Sequence, residues 1–384
     1  MSSNGGVRYW ATELPLLELH MLLPRRHAKS AAFPFDQPNV QFVHFARNAI
    51  FHLAQQMGLS GAEVLMPAYF HGVELEALLA AGVKPRFYAV HDGMRVDPQD
   101  IESRLTPNTR AVYLIHYAGY PGPAEAVAQI CRERGLLFIE DCALALLSKA
   151  GTRPLGSFSD AAVFCLYKTL PTPDGGAVVW KQGPLHIDGV EPSALGTVQQ
   201  TAASVLNQVE QGGGPVTRSL ARTAKTLGKT AIRARKPDWV EVGTQQFSRD
   251  EANVLMSGLS RTIVEAQDFP SIVATRRRNY AHLQSLLSDL APPVFRELPE
   301  GMCPLFYPFK TERKHALWRR LRAEGIQSVL FWLGGELGPN EGEFPEVDTL
   351  RRTVLELPCH QGVTPEGIER VAQTVRKATL ELGV

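Results

Sequence analysis

The sequence is short of several things, and each shortage removes a class of protein. It has no CxxC pair, and its five cysteines, Cys131, Cys142, Cys165, Cys303 and Cys359, are odd in number and scattered. That pattern excludes a disulfide scaffold or a cysteine-built zinc site and suits reduced thiols in the cytoplasm. It has no excess of either charge: 40 Lys and Arg stand against 39 Asp and Glu. Nucleic-acid binding therefore finds no electrostatic support. It also lacks a long apolar run. The most apolar N-terminal stretch, Leu16 to Leu23, is interrupted by Glu18 and His20 and is too short to span a bilayer. No signal peptide precedes it, so the expected location is the cytoplasm. No internal repeat stands out, and only Gly212 to Gly214 is low in complexity.

What is present is ordinary in amount and ordered in arrangement. The 384 residues, 44% hydrophobic and 21% charged, are enough for two soluble domains with a sizeable core. From Arg47 onward helical and strand-like segments alternate. Runs at Glu63–Met66, Pro85–Val90, Arg110–His116, Leu136–Glu140, Ala161–Leu166 and Gly176–Trp180 read as strands. Asn48–Met57, Val73–Ala81 and Pro123–Arg134 read as helices between them. Short apolar strands separated by helices predict a mainly parallel sheet covered on both faces. The pattern changes after Trp180, with long helical stretches to Pro237, and a second α/β pattern follows Gly301. The division expected is an N-terminal arm over residues 1–40, a large domain over 41–240 and a small C-terminal domain over 241–384.

The chemistry concentrates between Leu136 and Val179. Asp141 follows an apolar strand, at the carboxyl end where open α/β sheets bind ligands. A carboxylate there can keep a heteroaromatic nitrogen protonated. Alone, an Asp in that place also reads as a helix N-cap. Lys168 ends a second apolar run, Val163 to Tyr167, before a turn containing Pro171, Pro173, Gly175 and Gly176. A sheltered lysine can lose its proton and serve as a Schiff-base nucleophile; alone, it also reads as a side chain that carries its charge to water.

Together the elements resemble the signature of the DegT/StrS-type nucleotide-sugar aminotransferases, which are fold-type-I enzymes dependent on pyridoxal 5′-phosphate (PLP). The resemblance is carried in order by Glu140-Asp141, Gly156-Ser157-Phe158-Ser159-Asp160-Ala161, Lys168 and Gly175-Gly176. It implies an α/β fold of the aspartate-aminotransferase type, a large domain with a mostly parallel sheet between helices plus a smaller C-terminal α/β domain. It makes Lys168 the Schiff-base lysine and Asp141 the partner of the pyridine nitrogen. Phe45 to Ala49 resembles the turn where helix amides meet the phosphate, which brings in Arg47 and Asn48. VLMPAYFHG places His71 where an aromatic ring stacks on the cofactor. Cys165 stands near the position of a phosphate-side Ser. LFYPFK and LELPCH extend the likeness into the small domain.

Three features depart from that pattern. Leu144 replaces a Gln or His that would bond the cofactor's phenolic oxygen. The spacing from Cys165 to Lys168 is short. The segment through which a partner subunit contributes Asn and Arg is unclear in GTQQFSRDEANV, where Gln245 or Arg249 are the substitutes. The resemblance implies a homodimer with shared active sites, taking an amino group from a glutamate-like donor and giving it to a keto sugar or related ketone. A PLP-dependent lyase, dehydratase or carbon–carbon bond-forming enzyme is the alternative, with Leu144 as its support. A non-catalytic regulator is opposed by the presence of both Lys168 and Asp141. No metal site is expected. A basic stripe, Arg218, Arg222, Lys225, Lys229, Arg233 and Lys236, reads as a solvated helix face or as a surface for anions.

Overall fold

The computed structural model describes residues 9–18, 21, 32–192, 246–333 and 337–383. The basic stripe, Gln245 and the expected boundary near residue 240 lie outside them. Within them the first core surrounds a seven-stranded sheet. Its strands are β1 (Gln41–Val43), β2 (Glu63–Pro67), β3 (Lys84–Tyr88), β4 (Thr109–Ile115), β5 (Leu137–Asp141), β8 (Ala161–Cys165) and β9 (Gly176–Trp180), in the order β1-β9-β8-β5-β4-β2-β3. A two-residue hairpin, β6 (Lys149–Ala150) with β7 (Arg153–Pro154), stands apart. Strands β3, β2, β4, β5 and β8 pair in parallel, while β9 is antiparallel to both β8 and β1. Within the parallel run α2 (Val73–Ala80), α3 (Pro98–Ser103) and α4 (Ala124–Arg134) supply the crossovers from β2 to β3, β3 to β4 and β4 to β5, while α1 (Ala46–Gln56) leads from β1 into β2.

The sequence explains the burial pattern. In β4 every residue except Arg110 is buried, as expected of a strand covered on both faces. Helix α3 begins with Asp97 accepting the Gln99 amide at 2.9 Å ahead of Pro98, and α4 stops at Gly135 in the left-handed region. The strands and helices read from the sequence in this part of the chain fall within a residue or two of those found.

The second core packs on a three-stranded antiparallel sheet, β10 (Tyr307–Lys310), β12 (Val354–Leu357) and β11 (Val329–Leu330) in that order. Helices α6 (Phe269–Leu287), α7 (Lys314–Ala323) and α9 (Pro365–Glu381) contribute Leu283, Leu317 and Val371 to it. The shorter α5 (Gly258–Glu265) and α8 (Pro345–Thr353) complete the described helices longer than a single 3-10 turn. The residues just before 19 belong to this part too: Ala11 sits in the second core and bridges Ile326 in parallel. Alternation along β12 sends Leu355 and Leu357 into the second core, and Glu356 to the opposite face.

Among the described residues no helix is long and apolar enough to cross a membrane. All five cysteines are free and buried.

Candidate active site

Because β4, β5 and β8 are parallel, their last residues Ile115, Asp141 and Cys165 share one edge of the sheet, and a cleft opens there. Arg47 enters it from the first turn of α1, His71 and Glu74 from the passage between β2 and α2, and Lys168 from the turn after β8. Trp332, from the chain after β11, also lines it, packed against Tyr69, His71 and Tyr117. Five of the six residues singled out in the sequence therefore line one cavity.

Asp141 is buried at the end of β5. Its Oδ2 accepts the Tyr113 hydroxyl at 2.6 Å and its Oδ1 accepts the Ala143 amide at 2.8 Å. Burial pushes its carboxyl up, against the pull of Tyr113, the Ala143 amide and the nearby Lys168. Residues 142–148 form turns, not a helix, so the cap reading of Asp141 does not describe it.

Lys168 is half-buried in a turn fixed at both ends. Leu166 donates its amide to Gly175 at 2.9 Å, and Leu170 donates to Leu166 at 2.8 Å. Gly176 is required for a plain reason: a Cβ there would lie 2.5 Å from the Ala46 nitrogen. Strand β9 thus lies directly against the start of α1, which draws Lys168 and Arg47 to the same cleft.

Arg47 is buried with its guanidinium 4.1 Å over the Phe45 ring, and its Nη2 has no hydrogen-bond partner. An unpartnered buried cation in the first turn of a helix suits an anion. Asn48 is different. Its side chain turns away from the cleft and donates to the Glu251 carbonyl at 2.7 Å, so it braces α1 against residues 249–251. His71 is pushed down to about 3, mainly by burial and then by the charges of Lys168 and Arg47. Its imidazole is neutral at physiological pH. The Cys165 thiol is pushed up by burial and stays protonated. Arg249 lies on α2's far end, with its guanidinium on the Ala80 carbonyl.

Several participants escaped sequence reasoning. Leu144, noted only as a departure, forms part of the wall together with Tyr167. Trp332 comes from the far side of the fold and carries no local motif. Glu74, in the first turn of α2, carries no local motif either. The Gly-Ser-Phe segment has a structural role: Glu140 accepts the amides of Gly156, Phe158 and Ser159 at 2.8 to 2.9 Å and bonds His116 at 3.1 Å. Burial pushes the Glu140 carboxyl up, but His116 and the amides pull it further down, so it is held as the anion. His116 accepts the Gly122 amide at Nδ1, which leaves its proton on Nε2 for Glu140. His116, Glu140 and Cys142 bring ligand-type atoms within 4.8 Å of one another. These hydrogen bonds already occupy both ring nitrogens and both carboxylate oxygens.

The sequence profile of the DegT/DnrJ/EryC1/StrS aminotransferase family matches residues 46–206. A dTDP-4-dehydro-2,3,6-trideoxy-D-glucose 4-aminotransferase from Saccharopolyspora spinosa is 36% identical over 89% of this chain and 85% of its own length. This chain belongs to the DegT/DnrJ/EryC1/StrS aminotransferase family. A dTDP-3-amino-3,4,6-trideoxy-alpha-D-glucose transaminase from Streptomyces venezuelae is 34% identical, covering 83% of this chain and 76% of the relative. The crystal structure of the aminotransferase TlmJ from Streptoalloteichus hindustanus superimposes with a TM-score of 0.64 at 25% identity, over 90% of this chain and 87% of that one. A sugar aminotransferase from Streptococcus pneumoniae, solved in its PLP form, shares the fold with a TM-score of 0.66 at 16% identity, over 98% and 94% of the two chains. The fold is that of the type-I PLP enzymes, and membership in an aminotransferase family places transamination ahead of the lyase alternative.

Proposed function

We propose that this aminotransferase uses PLP to move an amino group from an amino-acid donor to the keto group of a nucleotide-linked sugar, in the cytoplasm. The observation that carries the reading is the meeting of Lys168, Asp141 and the unpartnered Nη2 of Arg47 in one cleft. These residues suit the group. Arg47 and the amides at the start of α1 would hold the phosphate. Asp141, braced by Tyr113, would keep the proton on the pyridine nitrogen. His71, neutral and beside the cleft, would lie against the ring. Bound there, PLP supplies an electron sink for the negative charge that develops beside the reacting nitrogen. Lys168 would provide the amine that anchors the cofactor and would move a proton as general acid and base.

The named substrates of the relatives support the choice of a keto sugar. The reading includes a homodimer in which the partner's chain completes each site, Arg249 being a candidate because its own cleft does not use it. The test is borohydride reduction of the protein as purified with PLP, followed by peptide mapping. A pyridoxyl label on Lys168 is expected, and a label on another lysine would overturn the assignment. Incubation with glutamate is expected to bleach the visible band.

A further inference from the structure

Glu74 is a buried acid that the reading above does not use. It lies at the second position of α2, lines the cleft, and folds back along the chain that brought it there. Its Oε1 accepts the His71 amide at 2.7 Å and its Oε2 accepts the Gly72 amide at 3.2 Å. Gly72 has φ 122° and ψ −42°, a conformation that residues with a Cβ rarely adopt. The chain therefore bends sharply at Gly72 and is held there by one carboxylate, while Ala68 and Tyr69 upstream are held by Tyr88, Arg351 and Tyr117. His71 projects from that bend into the cleft.

We infer that Glu74 is a positioning residue of this site, a buried carboxylate that anchors the backbone carrying His71 and sets the charge balance around Lys168. The inference rests on the PLP reading. Each half of it has its own observation. The two amide bonds make the anchor. The charge balance follows from what faces Glu74: Asp141 at the end of β5, Lys168 after β8, Arg351 on α8, the hydroxyls of Tyr113 and Tyr117, and neutral His71 on its own loop. Burial and the Asp141 charge push Glu74 up to about 7, against its amide bonds and Lys168. A group that titrates near neutrality beside the reacting lysine changes that lysine's environment over the working pH range.

The visible absorption band of the PLP-loaded protein reads this directly, since it follows protonation of the nitrogen that Lys168 contributes. Glu74→Gln keeps the shape and one acceptor oxygen but loses the charge. Removing a nearby anion makes the adjacent cation easier to deprotonate, so the midpoint of the band should fall by about one pH unit. The titration should also narrow toward a simple one-proton curve, because two coupled groups become one. Glu74→Ala removes the anchor as well, so the backbone that presents His71 to the cleft is no longer fixed, and affinity for PLP should fall roughly tenfold, which is about 1.4 kcal/mol. A Glu74→Gln protein that binds PLP with an unmoved midpoint and an unchanged width overturns the inference while leaving the PLP reading standing. Absence of any PLP band in the unaltered protein overturns the reading itself. If Glu74→Ala fails to fold, the Gln variant still decides the question.

Discussion

Arg276 Nη2 donates to the carbonyl oxygen of Thr169 at 3.0 Å, one residue beyond Lys168. Arg276 belongs to α6, outside the seven-stranded sheet, and is fully buried. Its Nη1 bonds the carbonyls of Pro304 and Leu305 at 3.1 and 3.0 Å, its Nε bonds Gln361 at 2.7 Å, and the Gln361 amide returns to Thr169 at 2.9 Å. The turn holding Lys168 is thus gripped from behind by two residues from the C-terminal part of the chain. Burial pushes the guanidinium down, yet all three of its nitrogens donate to neutral oxygens.

Arg276→Lys keeps the charge and loses the fork. The single ammonium of a lysine cannot reach Gln361, Pro304, Leu305 and Thr169 together as the planar fork does, and each acceptor left buried without a donor costs about 1–3 kcal/mol. A stability loss of roughly 2–4 kcal/mol is expected in denaturant unfolding. A variant as stable as the parent would show that this contact is replaceable.

Asp141→Asn leaves a side chain of the same shape without the anion. PLP affinity should fall moderately, since a buried charge-assisted bond contributes about 1.5–3 kcal/mol. The half-reaction with an amino donor should slow much further, because the lost interaction strengthens as charge develops. Tyr113→Phe should move both quantities the same way by less. Donor-driven bleaching rates on the three proteins test the order, and a near-normal rate for Asp141→Asn would mean the cofactor lies elsewhere.

Gly176→Ala and Gly58→Ala should behave differently. The first places a methyl 2.5 Å from the Ala46 nitrogen, backbone against backbone, and should yield little folded protein. The second meets nothing within 4 Å but has φ +68°, so it should lose only about 1 kcal/mol of stability. Expression yield and thermal midpoint compare them. Equal behaviour would contradict the packing of β9 on α1.

Glu356 gives a pH dependence of definite sign. Burial first, and the charge of Glu13, push its carboxyl up to about 8 despite Lys168 and Lys314. The folded state then holds a proton that the unfolded chain releases near pH 4.3 (about the ordinary value for Glu). Its contribution to stability is complete below that pH and is lost as the pH rises toward 8. Glu356→Gln should therefore gain thermal stability over the parent at pH 8.5, with little gain at pH 4. The same difference at both pH values would refute this.

Much of the sheet was legible in the sequence because parallel strands buried on both faces leave uninterrupted apolar runs such as Ala111–Ile115. Lys168 and Asp141 were legible because each ends such a run. Helix α6 was not, since Arg276 and Asn279 stand in its buried stripe and break the apolar spacing, although both are satisfied by carbonyls. Asn48 was grouped with the cofactor residues by position, but one step along a helix turns a side chain by about 100°, which takes Asn48 from the cleft to Glu251. Trp332 and Glu74 were hidden for the opposite reason: their importance depends on which residues face them, and those lie far away in the chain.

The contact between Gly176 and Ala46 also bears on how the protein comes into being. Arg47 and His71 are made early in synthesis, and Lys168 follows about a hundred residues later. Nothing brings them together until β9 has inserted between β8 and β1, a pairing of distant segments that is slow compared with local helix formation. A nascent chain therefore has no pocket to offer, and on the PLP reading cofactor capture would come after the sheet has closed. From then on ligand adds stability by mass action, about 2.7 kcal/mol at a hundredfold excess over its dissociation constant. Cells short of the vitamin would carry this protein folded but more easily unfolded, and its abundance would follow the supply of its cofactor.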